Sequence, residues 1–364
     1  MNDVIYIAPS EERLLSRFWQ SARGFWSGAS APWAWLLTVL LIATVLLQLL
    51  TQYSLNFWNR DFFNAVERKD GAELLRQALR FVPLATASLA LAVFSVWGRM
   101  TLQRKWREWL SNRLYDYWLE KDRYIRLRSV TGDYQAPEYR IAEDGRIATD
   151  LPVDLMLGLF SSLITGITFI GILWTVGGSS TIDMFGLTLT IPGYLVVAVI
   201  IYSILVAGTM LVIGRRLTHV LEDNKRTEAE LRAIGTHIRE SGEGKALPDD
   251  IKDGRHAVGA ALNAVISVWL EYCWQLMRLT VVTHSNSLLA PVVGLLLCMP
   301  KYVAGTMLLG EVVQAAAAFV VVQGACNWFT DNYTRLADWA ASANRVASLL
   351  LALDQVDQSG PTAT

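Results

Sequence analysis

The sequence has few charged residues, few histidines and few cysteines for its length. Only 18% of its 364 residues are Asp, Glu, Lys or Arg, and four are His, whereas soluble domains carry about 25% charged residues. The three cysteines (Cys273, Cys298 and Cys326) lie in or near apolar segments and have no CxxC spacing. Packing residues show this pattern, whereas disulfides and metal sites use paired spacings, so we predict no metal site.

Motifs of known chemistries are also missing. There is no HExxH, no Ser/His/Asp cluster and no metal-ligand spacing, so we expect neither an enzyme nor a cofactor, and nothing indicates a nucleic-acid partner. The nearest approach to a phosphate-binding loop, at residues 242–246, has Arg239 where the first Gly should stand and Ala246 in place of Ser or Thr. We expect no ATP hydrolysis by this polypeptide. The N-terminus does not resemble a signal peptide.

What the chain does have is apolar residues in long runs. Hydrophobic residues make up 53% of it, with 14 Trp and 12 Tyr, side chains that suit a membrane interface. A helix needs about 20 apolar residues to cross a bilayer. Six stretches qualify, at roughly 32–53, 79–100, 155–176, 191–213, 279–299 and 309–330. The runs are continuous and do not alternate, which indicates helices and not barrel strands.

The distribution of Lys and Arg predicts the orientation. The second and fourth loops hold most of the 32 basic residues, and the third loop holds none. The positive-inside bias therefore places the second and fourth loops and both termini in the cytoplasm. The basic residues of the first loop go against this bias, and we expect that loop to form a folded external hairpin.

The second and fourth loops are long and carry helical patterns, so we expect the membrane helices to continue far into the cytoplasm. Residues 1–30 form an amphipathic cytoplasmic segment predicted to lie on the inner membrane face. Residues 31–354 form the six-helix domain, and residues 355–364 form a flexible tail. Short outer loops, long inner ones and six spans resemble the transmembrane domain of an exporter-type ABC transporter. The predicted class is an all-α integral membrane protein.

Five motifs appear in an order and spacing that resemble the SbmA/BacA-like peptide transporters and their ABC-fused relatives. Together they cover roughly residues 50–350. They are NFWNRDFFNA at 56–65, RIAED at 140–144, IPGY at 191–194, EAELR at 228–232 with Arg239, Glu240 and Glu243, and PKYVAG at 300–305 followed by Leu309, Gly310 and Gln314.

This resemblance implies a domain-swapped homodimer around a large cavity in the inner membrane. Members without an ATPase domain look like importers that take up peptides, including antimicrobial peptides, on the proton gradient. We predict this proton-driven uptake. The alternative is the membrane subunit of an ATP-driven transporter whose ATPase is a separate chain, and a membrane enzyme or structural protein is a third reading.

Proton coupling would require carboxylates near the cavity. The candidates implied by the resemblance are Glu143, Glu228, Glu240 and Asp154, each of which can instead pair with a neighbouring Arg or cap a helix. Glu311 lies about one turn inside the last span, where it lines the outer mouth of the pore or reaches the interface.

Four further residues are candidates for lining the substrate cavity. Glu271 and Arg278 lie seven residues apart and thus on one helical face, where they border the cavity or form a structural pair. His284 is the only histidine inside a span, as a packing residue or as a cavity and proton-relay residue. Gln314 belongs to the motif that leads into the last span.

Overall fold

The computed structural model of this chain describes residues 11–127, 136–184, 187–242 and 248–358. Three of the sequence predictions fall partly or wholly on residues outside these ranges. They concern the first ten residues of the N-terminal segment, most of the near-match to a phosphate-binding loop (243–247), and the last six residues of the predicted tail (359–364).

The described residues form ten α-helices and one two-stranded antiparallel sheet. A 3-10 turn at Glu120–Asp122 and a π-helical turn at Arg140–Asp144 join some of them. In chain order the elements are α1 (Glu11–Ala22), α2 (Gly24–Ser27), α3 (Ala31–Glu67), α4 (Gly71–Leu119), α5 (Arg123–Arg126), α6 (Pro137–Tyr139), α7 (Gly145–Gly177), β1 (Ser179–Met184), β2 (Leu187–Pro192), α8 (Tyr194–Gly242), α9 (Pro248–Val303) and α10 (Leu309–Gln358).

Six helices are long and apolar enough to cross a membrane: α3, α4, α7, α8, α9 and α10. This confirms the predicted all-α membrane fold with six spans. Helix α8 alone has 49 residues, about 70 Å at 1.5 Å per residue, against about 30 Å of hydrocarbon. The predicted helical extensions are therefore present. We call the side on which α4, α8 and α9 continue the extended side, and the opposite one the hairpin side.

The hairpin side contains the only sheet among the described residues, and the sequence reading missed it. Strands β1 and β2 pair antiparallel between α7 and α8, so the fourth span begins at Tyr194 and not at residue 191. Gly193 has a φ of +61°, and a Cβ there would lie 2.4 Å from the Trp174 ring. Only glycine permits this turn against this ring.

Two motifs of the resemblance meet beside this hairpin. The Lys301 ammonium donates to the carbonyl of Gly177 at the end of α7 and lies 5.1 Å from the centre of the Tyr194 ring. A cation at a helix C-terminus interacts favourably with the helix dipole. Residues 191–194 and 300–305 therefore support one junction between α7, α8 and α9.

Another two motifs meet where α3 contacts the start of α10. The Asn64 side chain accepts a hydrogen bond from the Gly310 amide at 2.9 Å, and Glu67 accepts one from the Leu309 amide at 3.1 Å. A Cβ on Gly310 would lie 2.0 Å from the Arg60 carbonyl. Helix α3 thus satisfies amides that the first turn of α10 leaves unpaired.

Helices α7 and α10 pack through small residues in the membrane. Gly158, Ser162 and Gly166 are four apart on one face of α7. A Cβ on Gly158 would lie 2.8 Å from Trp328 Nε1, and Ser162 donates to the Ala325 carbonyl at 2.8 Å. Small residues at this spacing let membrane helices approach closely, where dispersion and hydrogen bonds replace the hydrophobic effect.

The N-terminal segment packs against protein on the extended side, and its position on the inner membrane face stays a prediction. Phe18 and Phe25 are buried with Trp106 of α4 and Leu350 of α10. The hydrophobic face of α1 and α2 is therefore covered by the bundle. Helix α10 continues to Gln358, four residues past the predicted start of the tail.

Candidate functional site

A stripe of polar residues runs along α9 inside its membrane span. Its members are Thr280, Thr283, His284 and Ser287, and all four are exposed on the surface of the single chain. Successive helix residues are about 100° apart, so these four side chains lie within an arc of about 100°. We call this set the polar stripe.

The hydroxyls of the polar stripe are satisfied by their own helix, which is the usual solution for Ser and Thr in a membrane. The bonds run from Thr280 to the Leu276 carbonyl at 2.8 Å, from Thr283 to the Leu279 carbonyl at 3.1 Å, and from Ser287 to the His284 carbonyl at 2.9 Å. Within the described residues, the His284 imidazole has no such partner. It lies about 8 Å inside the span and needs water or a partner subunit.

Asn286 orients the polar stripe. Its side-chain oxygen accepts a hydrogen bond from the Tyr202 hydroxyl of α8 at 3.1 Å, and the Tyr202 ring packs on Phe319 of α10, with 5.7 Å between centroids. Asn286 points about 120° away from the centre of the stripe around the helix. The contact with α8 therefore turns the stripe away from the bundle of its own chain.

Only one of the four predicted cavity residues belongs to the polar stripe, and this is His284. Gln314 is completely buried between α3 and α10, where its backbone carbonyl accepts from Asn56 Nδ2 at 3.2 Å. Sequence reasoning missed Thr280, Thr283 and Ser287, although their spacing of three and four residues around His284 was visible.

Glu271 and Arg278 lie at the extended-side end of the same span. Glu271 pairs with Arg216 of α8 at 3.0 Å. Both residues line a cleft of about 560 Å³ between α8 and α9, together with Arg216, Trp274 and Gln275. They are thus brought together in one cleft, with Arg216 as the partner of Glu271.

Two of the predicted acids, Glu143 and Asp154, lie in a line of charges along the first turns of α7. Glu143 pairs with Arg146 at 2.6 Å, and Arg146 lies 3.7 Å from Asp150. Glu143 is twelve residues before the apolar stretch at 155–176, and its hydrogen bonds from the Arg146 guanidinium lower its pKa. Such an acid stays ionised at neutral pH.

Asp154 connects three helices at the membrane boundary. Its carboxylate accepts from Gln103 of α4 at 2.8 Å and from Arg335 of α10 at 2.8 Å, and Arg99 approaches at 3.3 Å. Two guanidiniums on one carboxylate form a charge-assisted network. Asp154 thereby links α7 to both α4 and α10.

The structure adds an acid that the sequence reading passed over. Asp144 follows Glu143 but is 1% exposed, and it pairs with Arg345 of α10 at 2.7 Å. Nothing local distinguishes the two neighbours, since Arg345 is 201 residues away along the chain.

The remaining acids lie apart from the polar stripe. Glu228 is half-buried and Glu240 exposed on the α8 extension, about 20 and 40 Å beyond residue 213 by helical rise. Glu311 accepts from the Leu308 amide at 2.9 Å and so caps α10. The structure does not bring the five predicted acids into one site.

Known proteins are similar to this chain in sequence. The family model for the ABC transporter transmembrane region 2 matches residues 25–303. Similar proteins include the inner membrane ABC transporter ATP-binding protein YddA of Escherichia coli (strain K12), which is 27% identical over 96% of this chain and 62% of that protein.

More distant relatives are named in the same way. An uncharacterized ABC transporter ATP-binding protein of Synechocystis sp. is 25% identical over 88% of this chain and 46% of that protein. The ABC transporter D family member 2, chloroplastic, of Arabidopsis thaliana is 20% identical over 92% and 45%. The chain thus spans less than two thirds of the length of these relatives. The predicted resemblance to ABC-type transmembrane domains is confirmed, and this multi-pass helical chain belongs to the ABC transporter transmembrane region 2 family.

Proposed function

We propose that two copies of this chain form an inner-membrane transporter whose aqueous pathway is lined by the polar stripe of α9. The observation that carries this proposal is the exposure of Thr280, Thr283, His284 and Ser287 in the first half of an apolar span. The three hydroxyls bond to carbonyls of their own helix, whereas the His284 imidazole has no such bond among the described residues. Ionisable residues inside membrane helices almost always face the protein interior or a water-filled cavity.

A second copy explains why this surface is open in the single chain. Asn286 turns the polar stripe away from the other helices of its own chain, so the wall facing it has to come from elsewhere. Most oligomers close by symmetry, with the same surface used on both partners. A homodimer would enclose the two polar stripes around one cavity. The resemblance to the SbmA/BacA-like transporters implies such a domain-swapped homodimer.

Peptides are the substrates we propose, on the basis of the resemblance to SbmA/BacA-like transporters. For the energy source, the names of the relatives, which are ABC transporter proteins, favour ATP. The nucleotide would then be hydrolysed by a domain outside the described residues, on the same polypeptide or on a separate subunit. Proton-driven uptake is the second candidate, and His284 within the span is the observation that favours it.

Uptake of a labelled amphipathic peptide into sealed proteoliposomes tests these proposals. We expect the chain to move the peptide, with ATP and its nucleotide-binding partner or with a pH gradient alone. His284→Ala should reduce uptake at least tenfold under either drive. Leu289→Ala, an exposed residue about 140° from His284 around α9, should leave uptake unchanged.

The two energy sources give different outcomes. Uptake that requires ATP and persists in Glu228→Gln supports the ATP-driven transporter. Uptake that follows the pH gradient without nucleotide and is lost in Glu228→Gln supports proton coupling. If native protein moves no peptide under either drive, peptide transport is wrong. Equal loss in His284→Ala and Leu289→Ala would contradict the assignment of the polar stripe to the transport pathway.

A further inference from the structure

We propose that the cleft between α8 and α9 on the extended side binds the headgroup phosphate of a membrane phospholipid, whose acyl chains lie along the apolar face of α9. The residues of this headgroup cleft are Arg216, Glu271, Trp274, Gln275 and Arg278. The proposal concerns a different face of α9 from the polar stripe and does not depend on what the transporter carries.

The depth of the cleft matches that of lipid headgroups. Arg278 directly precedes the apolar stretch of α9 at 279–299, and Arg216 follows that of α8 by three residues. The two helices run antiparallel, so both guanidiniums lie at the same boundary. Basic pockets between membrane helices at this depth bind anionic headgroups.

The charges of the cleft leave one guanidinium available. Arg216 is paired with Glu271, whereas Arg278 is exposed and forms no ion pair among the described residues. The cleft therefore carries one net positive charge. A guanidinium offers parallel N–H donors whose spacing matches two phosphate oxygens.

Trp274 adds an interfacial aromatic ring to the same cleft. Its side chain is 62% exposed, on the same face of α9 as Arg278. Indole rings favour the headgroup level of a bilayer, where their apolar body and N–H group are both accommodated. A soluble anion would gain nothing from this ring.

An apolar surface begins directly above the cleft and indicates acyl chains. At about 100° per residue around the helix, this apolar surface lies within one arc of about 80° together with Trp274 and Arg278. The centre of that arc is about 130° from the centre of the polar stripe. The apolar members of this surface are all exposed: Val281, Leu288, Val292, Leu296 and Met299. Ser285, also exposed, is the one polar residue of 279–299 in this arc. The headgroup cleft and the apolar surface together match one lipid molecule.

Native mass spectrometry of the purified full-length chain with phosphatidylglycerol tests the proposal. Arg278→Gln should weaken binding about tenfold, the loss of roughly one charge-assisted interaction. Arg278→Lys should bind with intermediate strength, since it keeps the charge but not the fork. Arg232→Gln, an exposed charge on the α8 extension, is the matched control and should bind like the native chain.

Other occupants give distinct results. Displacement of the lipid by millimolar inorganic phosphate would indicate a soluble anion site and overturn the proposal. A shift of Arg278→Gln from dimer to monomer at unchanged lipid binding would indicate that a second copy covers the cleft, and would equally overturn it. Unchanged binding and unchanged assembly would show that the cleft holds no lipid.

Discussion

At the residue scale, neighbouring acids have opposite environments. Glu143 and Asp144 are adjacent, yet Glu143 pairs with Arg146 near the surface, whereas Asp144 is buried and pairs with the exposed Arg345. A buried carboxylate depends on its cation, because without that cation it is an unpaired, desolvated charge. The stability of the chain should therefore depend more on Asp144, which has no proposed role in proton coupling, than on Glu143, which has one.

Replacing each of these acids by Ala compares them directly. Asp144→Ala should lower the free energy of unfolding by about 2 kcal/mol, since it breaks charge-assisted bonds to a buried group. Glu143→Ala should change it much less, because exposed ion pairs contribute little to stability. Thermal unfolding in detergent measures both, and equal losses would contradict the assignment.

A second ion pair, between Arg123 and Asp357, stabilises the end of α10 and predicts that stability depends on pH. Asp357 lies 27 residues past the apolar stretch that ends at 330 and accepts from Arg123 at 2.7 Å, a hydrogen bond that lowers the pKa of the carboxyl. Nearby, burial and a hydrogen bond donated to Asp354 raise the pKa of Tyr117 to about 12, so this phenol stays neutral.

Because the pKa of Asp357 is lower in the folded chain, its stabilisation is present above the ordinary Asp pKa of about 3.9 and is lost as the pH falls through the lowered value. The difference in Tm between the native chain and Asp357→Asn should be constant from pH 8 to 5 and shrink below about pH 4. A difference that shrinks between pH 8 and 6 would contradict this origin.

At the element scale, the closeness of two helices depends on residues without side chains. Gly158 faces the Trp328 ring, whereas a Cβ on Gly171 of the same helix would have no atom within 4 Å. Intrinsic propensity favours Ala over Gly by about 1 kcal/mol at either position. Packing should reverse this preference only at Gly158.

Matched Gly→Ala variants separate propensity from packing. Gly158→Ala should destabilise the chain by about 1–3 kcal/mol through overpacking, whereas Gly171→Ala should be neutral or stabilising. Thermal unfolding of both variants in the same detergent is the measurement. Stabilisation by both substitutions would mean that α7 and α10 are not in close contact at Gly158.

At the scale of the whole molecule, α9 presents two different surfaces around one helix. The polar stripe lies on one of them, and the centre of the apolar surface lies about 130° away around the helix. In a dimer with an aqueous cavity, the first should meet water and the second lipid. Both surfaces are open in the single chain, so the distinction belongs to the assembly.

Cysteine labelling in membranes tests this distinction. In a chain with Cys273, Cys298 and Cys326 replaced by Ser or Ala, His284→Cys should react with a water-soluble maleimide at least tenfold faster than Leu289→Cys, which lies about 140° away around α9. The reason is that maleimide reacts with the thiolate, which forms in water and not in hydrocarbon. Equal rates at the two positions would contradict a water-filled pathway along the polar stripe.

Taken by itself, the sequence determined the six spans and the helical extensions. Transfer into lipid acts on composition over about 20 residues, and helices satisfy their backbone locally, so neither feature needs a distant partner. The same local information placed His284 inside a span. It also indicated that residues 228 and 240 lie outside the membrane.

Only the tertiary structure decided which polar groups are paired. Asp144 meets Arg345, Asp154 meets Arg335, and Asn64 meets the first turn of α10, each across more than 180 residues. Local patterns carry no record of such partners, because burial and pairing arise when helices pack. The docking of α1 was missed for the same reason, since its partners on α10 are distant in sequence. The hairpin between α7 and α8 pairs residues at most 13 apart, so a local pattern could have indicated it.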